Sequence, residues 1–212
     1  MKKLVLSTLL FILGSCFLQA QETLDNPWQF RLRGVVVSPD ESANIEAIGG
    51  DVDISTTLIP ELDISYFFTK NWALELILGT TKHDVKAEGT DVGDLDLGHA
   101  WLLPPTLTLQ YHVTELGNFK PYIGAGLNYT IFYGVDEGPK ADDIDYDNSL
   151  SFAAQIGIDY MITDKWFVNL DVKKLFLQTD ATVNATTALG ATVNADVDIN
   201  PWLIGFGVGI KL

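Results

Sequence analysis

The C-terminal stretch Pro201-Trp-Leu-Ile-Gly-Phe-Gly-Val-Gly-Ile-Lys-Leu212 alternates two kinds of residue. Its even positions, Trp202, Ile204, Phe206, Val208, Ile210 and Leu212, are large and apolar. Its odd positions are Pro201, Leu203, three glycines and Lys211. Successive side chains of a strand point to opposite faces, so one face here suits lipid and the other a narrow interior. A buried strand in a soluble core is the alternative, but such a strand rarely ends a chain on a large apolar side chain. The pattern recurs near 27–38, 56–68, 72–84, 99–113, 121–134, 149–162 and 166–179, before the last strand at 198–212.

Short links (69–71, 114–120, 163–165) alternate with long ones (39–55, 85–98, 135–148, 180–197). That layout predicts an all-β fold, an eight-stranded antiparallel transmembrane β-barrel with short periplasmic turns and long extracellular loops. Two turns echo each other, Tyr66-x-x-Thr69-x-x-Trp72 and Tyr160-x-x-Thr163-x-x-Trp166. Each places aromatics where an interfacial girdle requires them.

Composition agrees. Lys2 and Lys3 precede an apolar run to Phe17 and a Leu18-Gln-Ala20 cleavage site, which reads as a signal peptide over 1–20 and a barrel over 21–212. Cys16 faintly resembles a lipoprotein processing site, but cleavage after Ala20 removes the only cysteine. Without Lys2 and Lys3, 11 basic side chains face 28 acidic ones, a net charge of about −17. That excess argues against nucleic acid as a partner. After the signal no apolar run reaches the ~18 residues of a spanning helix, so a closed sheet is the remaining way to cross a membrane. The expected location is the outer membrane of a Gram-negative bacterium, crossed many times.

Phasing each strand by its polar residues gives an outer face of Trp28, Phe30, Leu32, Val36, Leu62, Ile64, Tyr66, Leu74, Leu76, Leu107, Leu109, Ile123, Leu127, Ile156, Tyr160, Trp166 and Leu170, among others. Lys174 is its one charge, placed where a long side chain reaches the rim. The inward face changes along the axis. Toward the periplasm it carries Arg31, Arg33, Glu61, Asp63, Glu75, Asp159, Asp171, Lys173 and Lys211, with Gln110, His112, Asn128, Gln155 and Asn169. Buried charges persist when paired and hydrogen-bonded, which predicts a salt-bridge network across the lumen floor. Toward the outside the inward positions become Val35, Val37, Ile59, Ile77, Leu102, Phe132, Leu175, Leu177 and Leu203. These form either an apolar vestibule for a small hydrophobic guest or the packing that fills many small barrels. Pro60, Pro104-Pro105 and Pro201 interrupt strands, as bends or as sideways gaps in the wall.

Most of the negative charge lies in the long links. Asp142-Asp-Ile-Asp-Tyr-Asp147 has oxygens for Ca²⁺ but neither the glycine nor the spacing of a calcium loop, and reads as a solvated acidic loop. His83, His99 and His112 lack metal spacing, and no Gly-x-Ser-x-Gly is present. The expectation is no enzyme, no metal and no cofactor.

Leu103-Pro-Pro-Thr-Leu-Thr-Leu-Gln-Tyr-His112 closely resembles the signature strand of the OmpW family of outer-membrane proteins. Lys120-Pro-Tyr-Ile-Gly-Ala-Gly-Leu-Asn-Tyr-Thr130, Ala153-Ala-Gln-Ile-Gly-Ile-Asp-Tyr160, Asp164-Lys-Trp-Phe-Val-Asn-Leu-Asp171, Thr179-Asp-Ala-Thr-Val183 and Asn200-Pro-Trp202 resemble its further segments in order. Leu212 departs from the aromatic residue that usually ends the family. The resemblance implies a monomeric or weakly associated barrel with a narrow apolar channel for small hydrophobic solutes, with sideways exit through the wall. It also implies use by bacteriocins or phage as a receptor; contact with outer-membrane lipid, and with lipopolysaccharide through divalent ions bridging the acidic loops, is the expectation from the barrel and its charge. The vestibule residues above come from phasing alone. A closed structural barrel, whose acidic loops bind partners or stabilise the outer membrane, is the alternative function.

Overall fold

The computed structural model describes residues 26–212; the expected signal peptide over 1–20 lies outside them. Eight antiparallel staves close on one another. They are β1 (Trp28–Ser38); β4 (Thr57–Phe67); β5 (Trp72–Gly79), continued by β6 (Thr81–Glu88); and β8 (Thr106–His112), preceded by β7 (Leu95–Leu103). The others are β9 (Phe119–Glu137); β11 (Ser149–Met161); β12 (Trp166–Phe176), continued by β13 (Gln178–Ala185); and β15 (Trp202–Lys211), preceded by β14 (Ala191–Asp198). The ring runs β1-β4-β5-β8-β9-β11-β12-β15 and closes where β15 pairs with β1, Gln29 opposite Lys211. Closure leaves no free edge at this level, as a sheet in lipid requires.

The outward phasing holds. Leu32, Leu62, Leu74, Leu109, Ile123, Ile156, Leu170, Phe206 and Val208 are exposed on the outer wall, while Arg31, Arg33, Asp63, Glu75 and Asp171 are buried within it. Edge-to-face pairs Trp28–Tyr66, Trp72–Tyr111 and Phe119–Tyr160, with centroids 4.9, 5.0 and 4.9 Å apart, gird the short-turn end. The echoed turns have one cause. Thr69 Oγ1 accepts the Trp72 N–H at 2.9 Å, and Thr163 Oγ1 accepts that of Trp166 at 2.9 Å, the hydroxyl standing in for a backbone acceptor. Lys174 escapes the lipid band. Its Nζ reaches Asp40 Oδ2 at 2.8 Å and the Asn200 carbonyl at 2.5 Å, 4.7 Å from the Trp202 ring centre.

Four staves break at about one height: at Thr80, Pro104-Pro105, Leu177 and Ile199–Pro201. Pro60 breaks nothing; it sits inside β4 opposite Gly34. At Leu177 one carbonyl accepts both the Ile199 and Asn200 N–H groups, at 2.8 and 3.2 Å, a bulge that bends the wall. The breaks bend the wall, and pairing resumes above them except between 56–60 and 80–83. The long links therefore differ from open loops. They are largely strand, adding β2 (Ser42–Ile45), β3 (Asp51–Ile54) and β10 (Asp143–Tyr146). Above the bends the wall divides into two sheets, β3-β6-β7-β9 and β10-β13-β14-β2. Alternation explains this extension: in Thr81-Lys-His-Asp-Val-Lys-Ala-Glu88 every odd position is buried and every even one exposed. The acidic stretch 142–147 is part of it, with Ile144 buried inside β10 and Asp143 and Asp145 on the outside.

Candidate functional site

The lumen floor is a single polar cluster. Arg31 donates to Glu75 Oε1 at 2.5 Å and Asp159 Oδ2 at 2.9 Å. Arg33, two residues on and so on the same face, lies 2.6 Å from Asp63, 3.2 Å from Glu61, 3.3 Å from Asp171 and 3.8 Å from Glu75. Lys173 joins Glu61 at 2.6 Å and Asp171 at 3.2 Å. Gln110 and Gln155 both donate to Glu75 Oε2, and Asn169 donates to Asp159 Oδ1 at 2.7 Å. Three cations and five carboxylates thus fill the cross-section. Lys211 forms none of these ion pairs: its Nζ lies below, 5.6 Å from the Phe67 ring centre, in a recess open at the short-turn end.

The floor contains two aromatics that the charge pattern does not announce. The Tyr122 hydroxyl donates to Asp171 Oδ2 at 2.7 Å and accepts from Asn169, and its ring stacks on His112 at 4.7 Å. Arg31 lies 5.2 Å over Tyr122 and 5.6 Å over Phe167. Strand parity carried the signal, since Ile123 and Val168 face outward. Space for both rings comes from glycines directly across the ladder. A Cβ on Gly157 would sit 2.3 Å from the Tyr122 hydroxyl, and one on Gly209 would sit 2.1 Å from Phe167.

Asn128 is not part of the floor. Strand tilt raises it to the double proline, where its amide donates to the Pro104 carbonyl at 3.1 Å and Thr106 Oγ1 at 2.9 Å. Thr130 and Ser151 donate to its Oδ1. It supplies a partner that the proline-interrupted ladder lacks.

Above the floor the predicted apolar positions meet. Val37, Ile59, Ile77, Leu102, Leu175, Leu177 and Leu203 line a narrow lower chamber. Glu61 and Lys173 form its base. Val35 packs at its margin against the space left by Gly205, whose Cβ would lie 3.2 Å from Val35 Cγ2. Phe132 stands higher, stacked on Tyr146 at 5.4 Å. It belongs to an outer chamber between the two upper sheets. Ile54, Val85, Leu97, Val183 and Val197 are among its lining. The sequence reading missed this chamber because it took 85–98 and 180–197 for solvated loops. His83, Leu102 and Ile199 line both chambers and form the collar between them.

The wall beside the lower chamber is incompletely paired. The β4–β5 ladder ends at Glu61 opposite Gly79, and backbone pairing resumes only where the Ser55 N–H donates to Asp84 at 3.0 Å. Between them 56–60 face 80–83, with Pro60 contributing no N–H.

A closed antiparallel barrel, apolar outside between aromatic girdles and charged within, defines an outer-membrane protein; this chain resides in the outer membrane of a Gram-negative bacterium. It belongs to the OmpW family, whose model matches residues 27–212. It is 52% identical over 184 residues to the uncharacterized outer-membrane protein y4mB of Sinorhizobium fredii, covering 86% of this chain and 79% of that one. It is 34% identical to the dibenzothiophene metabolism operon protein PahQ of Pseudomonas aeruginosa, over 87% of this chain and 88% of that one. Among solved structures the outer membrane protein OprG of Pseudomonas aeruginosa superposes with a TM-score of 0.81 at 29% identity, covering 88% of this chain and 96% of that one.

Proposed function

We propose that this barrel is a passive channel for small uncharged apolar molecules. The observation that carries the reading is the stacking of two apolar chambers over a floor of paired charges. Each methylene moved from water into such lining gains ~0.8 kcal/mol, so the outer chamber desolvates a solute that the lower one then receives. Axial exit is blocked by the paired charges that fill the cross-section, because separating them would leave buried charges uncompensated. The unpaired run between 56–60 and 80–83 borders the lower chamber through Ile59, Thr81 and His83. It supports sideways release into membrane lipid. Dibenzothiophene, named for the relative PahQ, is an apolar aromatic of the fitting class. We also infer removal of residues 1–20, and contact of the acidic outer edge with lipopolysaccharide through divalent cations.

The test is uptake of N-phenyl-1-naphthylamine by cells lacking the gene, with and without the intact protein. Ile77→Arg and Leu175→Arg place a charge among buried apolar side chains and are expected to lower uptake about tenfold while the barrel still folds. Unchanged uptake in correctly folded variants removes the lower chamber from the path.

A further inference from the structure

His83 is the one ionisable side chain in the collar where the two chambers meet. It lies above the stave bends, on the upper part of β6, and is buried. Its Nδ1 is 2.5 Å from the Ser55 carbonyl and its Nε2 is 2.9 Å from Thr81 Oγ1. A carbonyl only accepts, so Nδ1 carries the proton and Nε2 accepts from the Thr81 hydroxyl. Both nitrogens are occupied, so the neutral ring offers the passage only carbon edge and face. The Ser55 bond also spans the top of the unpaired run, where a ladder hydrogen bond is missing.

We infer that His83 is the specificity-determining residue of the channel and makes it close to apolar solutes in acid, a proposal resting on the channel reading above. Protonation at Nε2 need not break either bond, since the Thr81 hydroxyl can turn and accept. It does place a full charge in a ring otherwise made of Leu102 and Ile199, where an apolar solute must pass in contact with it. The groups facing His83 do not neutralise that charge at close range. Glu41 is engaged at 3.0 Å by the Ile54 N–H, and Asp84, the next residue, points outward. Across the ladder, His99 pairs with Asp136 at 2.6 Å. Below, Lys173 and Glu61 are bound to each other at 2.6 Å. Above, Lys140 and the Tyr146 phenol line the outer chamber.

Histidine is the side chain whose charge changes nearest neutral pH, so the collar is open in its neutral form at pH 7.5 and gains its charge in acid.

The experiment compares N-phenyl-1-naphthylamine uptake at external pH 7.5 and 5.0 in gene-deleted cells carrying wild type, His83→Gln, His83→Lys or His99→Gln. Folding of each is checked by the heat-dependent gel shift of the barrel. Wild-type uptake is expected to be lower at pH 5.0 than at pH 7.5, through the cost of a charge in an apolar ring. His99→Gln should keep the ratio between the two pH values, His83→Gln should bring it to about one, and His83→Lys should be slow at both pH values. Equal pH ratios in wild type and folded His83→Gln overturn the proposal while leaving the channel standing. No uptake above the deleted strain at pH 7.5 overturns the channel reading itself, and this inference with it. Should His83→Gln fail the gel shift, the ¹⁵N shifts of the His83 ring in wild type decide: a ring with the same protonation at pH 7.5 and 5.0 also overturns the proposal.

Discussion

Arg33→Leu is expected to destabilise the barrel by about 3–5 kcal/mol, the scale for stranding a buried charge. Arg33 lies within 4 Å of Glu61, Asp63, Glu75 and Asp171 and is wholly buried. Glu61 and Asp171 retain Lys173, and Glu75 retains Arg31. Asp63 has no second ion pair among the described residues and would be left buried beside other carboxylates without its cation. Asp63→Asn in the same chain should therefore recover a substantial part of the loss, though not the packing of the guanidinium. Urea unfolding in lipid vesicles, followed by the gel shift, measures both. An Arg33→Leu barrel as stable as wild type, or a double variant no better than the single one, would show that the floor is not a coupled network.

The second large effect separates two glycines on neighbouring staves. A Cβ on Gly207 would lie 2.1 Å from the Leu32 carbonyl oxygen and 2.7 Å from the Arg33 Cα, both backbone atoms. Gly34, one residue along β1, faces lipid, and a Cβ there meets nothing within 4 Å. Gly207→Val should abolish assembly or cost more than the ~1–3 kcal/mol of ordinary overpacking, because β1 and β15 close the barrel. Gly34→Val should assemble normally and gain slightly from a strand-favouring side chain. Heat-shift gels of refolded protein read both. Equal yields would mean that the interior glycines of β15 are not required by close approach.

The odd glycines at 205, 207 and 209 are thus legible twice in the sequence. They mark the inward face, and they mark where Val35, Arg33 and Phe167 need room. Parity likewise disclosed the floor charges and the apolar ring of Val37, Ile59, Ile77 and Leu175, because period-two alternation survives barrel closure unchanged. Height along the axis was harder to read. Staves tilt, so Asn128 rises to the prolines, while Lys211 falls below the floor it shares a face with. The outer chamber was hidden for another reason. Charged residues such as Lys82, Asp84, Lys86 and Glu88 give 81–88 the composition of a loop, although their alternate positions are buried. His83 falls at the end of the strand read over 72–84, at an odd and so inward position; the buried Val85 and Ala87 beyond it fall in the stretch taken as a link.

The most direct test of the two-chamber passage is anomalous diffraction at the bromine edge from crystals of the protein soaked in 1-bromonaphthalene. Bromine peaks are predicted in the outer chamber beside Val85, Leu97 and Val197 and in the lower one beside Ile59, Ile77 and Leu175, with none beneath Arg33. Bromine confined to the lipid-facing wall, or lodged below the floor next to His112, would contradict an apolar path that stops above the charges.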